Sequence, residues 1–214
     1  MHKNFRKNRK TVRQILNHHF DRFGKCDRIK MLASHLKMPT LFFEKKDEEK
    51  TMIPERLAAL REKMRAYGVD AYLVPTADYH ESEYVGTYFK ARTYITGFTG
   101  SAGTAVITQD EACLWTDGRY FVQAAKELAG TGVTLMKMGQ EGVPTVEEYL
   151  AANTKEGMTI GFDGRVVNEM LGEALEKTLP ERFLSYRSDL IGEIWSDRPA
   201  LSAEPVWILD AKYT

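Results

Sequence analysis

Apolar positions recur with helical spacing just beyond residue 52. Leu57, Leu60, Met64 and Tyr67 share one face, Pro54 suits a first turn, and Gly68 stands where a helix C-cap belongs. This spacing predicts a helix opening at Pro54. Ala71-Tyr-Leu-Val is then continuously apolar and stops at Pro75, the pattern of a buried strand. A polar loop over 76–83 leads into a short helical or irregular segment through Tyr94. Two further apolar runs, Thr104–Thr108 and Ala112–Thr116, flank Gln109-Asp-Glu and predict a hairpin. Beyond it the pattern alternates: helix 119–128, strand 133–138, helix 146–152, strand 159–162, helix 168–179 and strand 183–186. Strands alternating with helices predict an α/β fold with a layered β-sheet flanked by helices, and the hairpin makes the sheet mixed.

The two ends depart from this pattern. Met1–Phe20 holds Lys and Arg but no acid, and Val12, Ile15, Leu16, His19, Phe20 and Phe23 follow helical spacing, as in an organelle presequence or a surface-seeking helix. The acid-rich stretch Glu44–Lys50 reads instead as a solvated linker. Residues 1–51 are therefore expected to be a poorly ordered basic extension or an over-extended start, with Met52 as the natural beginning. Residues 52–195 form the expected domain. After Trp195-Ser-Asp-Arg-Pro, residues 196–214 read as a linker and then an apolar run, Val206-Trp-Ile-Leu, expected to be the first strand of a further domain.

Composition sharpens this division. Of 214 residues, 43% are hydrophobic, enough to bury a real core. The net charge is zero, yet residues 1–50 hold 14 Lys or Arg against 6 Asp or Glu, leaving 16 against 24 for the rest. Tail and body are thus oppositely charged, and an acidic body argues against nucleic acid as a partner. No apolar run approaches the roughly 18–20 residues that span a bilayer, so no membrane association is expected. Cys26 and Cys113, the only cysteines, give neither a disulfide framework nor a zinc spacing, which fits a reducing, cytoplasmic compartment.

Few residues suggest chemistry. His80-Glu-Ser-Glu is the one histidine-acid group in the body, but it lacks a second histidine and reads as a polar loop cluster. Asp117 and Asp163 each follow a predicted strand, where a magnesium nuclease would gather acids. Capping of a helix starting at Arg119 explains Asp117 as well, and a turn at Gly164 explains Asp163. Gly97, Gly100, Ser101 and Gly103 match neither a phosphate-binding loop nor a nucleophile elbow, and are expected to shape a tight connection lying beside a neighbouring surface. Ser101 has no local base. Arg119, immediately after Asp117-Gly118, can offer a planar donor fork to carbonyls or a carboxylate, or can pair with Asp117 or Glu83.

Four ordered motifs carry a resemblance: Phe98-Thr-Gly-Ser-Ala-Gly-Thr-Ala, Leu114-Trp-Thr-Asp-Gly-Arg-Tyr-Phe, Leu135-Met-Lys-Met-Gly and Ile194-Trp-Ser-Asp-Arg-Pro. Together they resemble the creatinase-type N-terminal domain, with its ribonuclease H-like motif, of the Xaa-Pro aminopeptidase family. The resemblance implies a substrate-edge role for Arg119, which matches the motif arginine that reaches toward a proline-containing peptide. It also implies a homodimer, and a catalytic domain with two divalent metal ions, manganese by preference, beyond Thr214. The chain itself is then expected to carry no catalytic residue, metal or cofactor and to be inactive alone. A free-standing interaction module that keeps a dimerising surface is the alternative.

Overall fold

The computed structural model describes residues 41–187, 189–205 and 207–213. The helical spacing expected over 12–23 lies outside them. The chain divides into two compact units, Met1–Glu48 and Glu49–Thr214, and the second holds the sheet and its core.

Helix α1 spans Leu41–Tyr67, so Pro54 lies within it rather than at its start. Proline leaves the carbonyl four residues back without its usual donor, a cost this helix absorbs. Glu44–Lys50, expected as a linker, is helical, in keeping with the strong helix propensity of Glu and Lys. Ile53, Leu57, Leu60 and Met64 are buried, each worth about 1.5–3 kcal/mol in transfer terms. Tyr67, expected on the same face, is exposed and gives its hydroxyl to Glu193 Oε1 at 2.8 Å. The helix stops where the sequence indicates. Gly68 takes φ +64°, Val69 N–H returns to the Met64 carbonyl at 2.8 Å, and Gly68 N–H returns to Arg65 at 3.3 Å, closing a Schellman motif.

Six strands follow: β1 (Ala71–Pro75), β2 (Thr104–Thr108), β3 (Ala112–Thr116), β4 (Thr134–Lys137), β5 (Thr159–Phe162) and β6 (Phe183–Ser185). They form one mixed sheet in the order β4-β3-β2-β1-β5-β6. Only β2 runs against the rest; it is antiparallel to β1 and β3, while the β1–β5, β5–β6 and β3–β4 pairs are parallel. Side chains alternate across the sheet as the strand pleat requires. Tyr72, Val74, Ala105, Ile107 and Leu114 pack with α1, whereas Ala71, Leu73, Val106, Trp115 and Ile160 pack on the opposite face with Leu150 and Leu175. Burial on both faces explains why β1 reads as an unbroken apolar run.

Five shorter helices complete the layers: α2 (Ala91–Thr96), α3 (Phe121–Glu127), α4 (Val146–Asn153), α5 (Glu169–Thr178) and α6 (Leu190–Ile194). Helix α4 opens with a capping box between Thr145 and Glu148, and Asn168 caps α5 by accepting the Leu171 N–H. Helix α3 starts two residues later than expected. Its N-cap is Tyr120, with no side-chain cap, so Asp117 does not cap it. Trp207, Ile208 and Leu209, expected in the first strand of a further domain, are irregular and exposed here.

Candidate functional site

The direction of the strands sets the site. Since β2 alone is reversed, the loops leaving β1, β3 and β5 and the loop entering β2 meet at one edge of the sheet. Thr116 at the end of β3 is buried and gives its hydroxyl to the Ala102 carbonyl at 2.8 Å, fastening the glycine loop to that edge. Two glycines in the loop stand at close approaches. A Cβ on Gly103 would lie 2.8 Å from the Trp115 carbonyl oxygen, and one on Gly100 would lie 2.3 Å from Phe98 Cζ. The sequence expectation of a tight connection laid against a neighbouring surface holds.

Arg92 organises this loop, and the sequence did not single it out. Only 3% exposed, it donates from Nε to Thr76 Oγ1 at 2.6 Å, from Nη1 to the Phe98 carbonyl at 2.9 Å, and from Nη2 to the Gly100 carbonyl. Its guanidinium also lies 4.7 Å from the centre of the Phe98 ring. Burial pulls its pKa down to about 10. On the outer side of the loop, Glu127 accepts the Thr99 N–H at 2.9 Å and its hydroxyl at 2.8 Å. A cleft of about 320 Å³ opens beside the loop, lined among others by Thr76, Glu83, Lys90, Arg92 and Ser101. Ser101 Oγ lies 2.6 Å from the Tyr120 hydroxyl, a neutral pair without a base to activate it.

Tyr120 leads from the cleft to Arg119. Asp117 Oδ1 accepts the Arg119 backbone N–H at 3.0 Å and Nε at 2.9 Å, while Oδ2 accepts Nη2 at 2.9 Å. The side chain of Arg119 is still 69% exposed. Hydrogen bonds from Arg119 hold the Asp117 carboxyl at about 2, well below the usual range, and the same contacts raise the Arg119 guanidinium. Glu83 adds a weaker upward pull on Arg119. Of the alternatives open for Arg119, the pairing with Asp117 is the one the structure contains, and the side chain stays largely exposed.

The other acids do not converge. Asp163 binds Arg165 in its own bidentate pair, at 2.9 and 2.8 Å. Three strand spacings of about 4.8 Å separate it from Asp117, about 14 Å, too far to share a metal ion. Asp78 Oδ1 accepts the backbone N–H groups of His80 and Ser82, which makes that cluster a turn. Among the described residues, no three His, Cys, Asp or Glu side chains come together to hold a metal ion.

A mixed six-stranded sheet with this loop and this Asp-Gly-Arg turn defines a class. Residues 56–194 match the Creatinase/Prolidase N-terminal domain, and the chain belongs to that family. It is 40% identical over 176 residues to Aminopeptidase P2 of Arabidopsis thaliana, covering 79% of this chain and 25% of that protein. It is 44% identical over 163 residues to a probable Xaa-Pro aminopeptidase P of Talaromyces marneffei, covering 74% of this chain and 25% of that one. A crystal structure of X-prolyl aminopeptidase from Caenorhabditis elegans, described as a cytosolic enzyme with a di-nuclear active site, superposes with a TM-score of 0.69 at 37% identity. That match covers 75% of this chain and 28% of the other. The chain therefore spans about a quarter of the length of the relatives it matches.

Proposed function

We propose that this chain is the non-catalytic N-terminal domain of a metal-dependent Xaa-Pro aminopeptidase, which removes the residue preceding proline. Its part is to supply Arg119 as a contact at the edge of the peptide site and to take part in subunit association as a homodimer in the cytoplasm. The observation that carries this reading is an exposed arginine, fixed at a strand end, in a chain 40–44% identical to aminopeptidases P. Two divalent ions, manganese in this reading, belong to the catalytic portion, in keeping with the di-nuclear active site of the Caenorhabditis elegans relative. No chemical step runs through residues of this domain. Its contribution is binding and orientation, which planar arginine donors serve well.

Two assays test the reading. Alone, with manganese, the chain should release no amino acid from an Xaa-Pro peptide; metal-dependent release free of contaminating peptidases would overturn the non-catalytic assignment. Fused to the catalytic portion of the Arabidopsis relative, the Arg119→Ala variant should lose about tenfold or more in kcat/KM, with metal content and folding intact. Arg119→Lys should rescue poorly, since a point charge cannot reproduce a planar fork. Unaltered kinetics in the alanine variant remove Arg119 from the peptide site.

A further inference from the structure

The chain contains the tripeptide Asp-Gly-Arg twice, as Asp117–Arg119 after β3 and as Asp163–Arg165 after β5. Both copies fold the same way. In each, the aspartate Oδ1 accepts the arginine backbone N–H at 3.0 Å and Nε at 2.9 Å. In each, Oδ2 accepts Nη2, at 2.9 Å in the first copy and 2.8 Å in the second. A guanidinium has five N–H donors in one plane, and this clasp takes the two on its Nε edge. Three donors are left pointing away from the aspartate, two on Nη1 and one on Nη2.

The copies differ in what meets those donors. Arg165 Nη2 gives its second bond to Asp189 Oδ2 at 3.0 Å, and Asp189 also binds Arg198, which in turn donates from Nε to the Tyr88 carbonyl at 2.8 Å. That copy is built into the fold, with the Asp163 and Asp189 side chains only 14% and 16% exposed. Among the described residues, no second acceptor meets Arg119, and the Asp117 side chain is 37% exposed. The second copy thus shows, within one molecule, what the first is arranged to receive.

We propose that Asp117 is a positioning residue for Arg119, and that an oxygen acceptor of the bound peptide takes the place on Arg119 Nη2 that Asp189 takes on Arg165. This rests on the reading of Arg119 as a peptide contact. A free surface arginine has to be ordered at the moment of binding, which weakens affinity roughly threefold to tenfold. Held by Asp117, Arg119 is ordered when the domain folds. Its neutral pairing with Asp117 also explains the choice of arginine: a lysine ammonium clasped by the same carboxylate would present no second planar edge.

Arginine side-chain NMR on the chain itself tests the positioning role. In the 15N-labelled protein, the Arg119 Nε–H should be restricted and slow to exchange, as that of Arg165 is expected to be. Asp117→Ala should release Arg119 to average like a free arginine, with Arg165 unmoved and the unfolding midpoint retained. An Arg119 already mobile in the parent chain, or still restricted in Asp117→Ala, overturns the proposal. In the fusion to the catalytic portion, Asp117→Ala should raise KM roughly threefold to tenfold with kcat little changed, and adding it to Arg119→Ala should cost nothing further. If Arg119→Ala damages kinetics and Asp117→Ala does not, the positioning role falls while the peptide reading stands. If Asp117→Ala frees Arg119 but Arg119→Ala leaves kinetics intact, the clasp is real, the peptide reading fails, and the proposed acceptor falls with it.

Discussion

Arg92 Nη1 donates to the Phe98 carbonyl at 2.9 Å, and the same guanidinium lies 4.7 Å from the centre of the Phe98 ring. No carboxylate forms an ion pair with this buried cation among the described residues. Its charge is met by the Phe98 and Gly100 carbonyls of the loop it supports and by the Thr76 hydroxyl just after β1. Removing it takes the donor from the buried Phe98 and Gly100 carbonyls, while the Thr76 hydroxyl keeps its bond to Gly103. Arg92→Met should therefore lower the unfolding free energy by about 3 kcal/mol, at about 1–3 kcal/mol per unmet group, as measured by urea denaturation. A loss below about 1 kcal/mol would show that the loop supports itself.

The glycines of that loop make a graded pair. At Gly103 an added methyl meets the Trp115 carbonyl, backbone of a central strand that cannot yield. At Gly100 it meets the far end of the Phe98 ring and Tyr120, side chains rather than backbone. Both alanine variants should be destabilised, by about 1–3 kcal/mol, with Gly103→Ala the worse. Thermal unfolding of the two checks the order, and equal midpoints would contradict it.

Asp117 gives a pH prediction with a definite sign. Its folded carboxyl, held at about 2 by Arg119, lies below the ordinary aspartate range of about 4, so the pairing is present above pH 4 and is lost as pH falls toward 2. Carboxyl 13C titration of the chain should place its midpoint near pH 2. Arg119→Ala should move that midpoint up toward 3.8. An unchanged midpoint would mean that the arginine is not what depresses it.

Among the described residues, the members of both apolar clusters of the second unit begin at Ile53. Deleting residues 1–48 should accordingly leave the thermal midpoint of the sheet domain within a few degrees of its parent. A large fall would assign part of that stability to the first unit.

How far the sequence foretold this follows from the length of each signal. The runs Thr104–Thr108 and Ala112–Thr116 are apolar and bounded by polar turns, and both strands fall at those limits. Helix α6 shows no pattern because five residues are too few to display a helical period. The upstream part of α1 carries charged residues that fit a linker as well as a helix, and Pro54 imitates a start. Arg119 stood out as a candidate because it follows a strand within a recognisable motif. Arg92 did not: between Ala91 and Thr93 nothing marks an arginine as buried, and its partners lie in a loop that only folding brings round.

The reversal of β2 also puts the β2–β3 turn at the end of the sheet opposite the glycine loop. The β2–β3 turn, with Asp110 exposed, lies at the opposite end of strands five residues long, about 17 Å from Arg119 at 3.3–3.4 Å per residue. A fluorophore or an affinity handle attached at Asp110 would therefore ride on the rigid centre of the sheet while staying clear of the glycine loop, the cleft and the clasped arginine. It offers a fixed point from which the approach of a second domain can be measured as a distance.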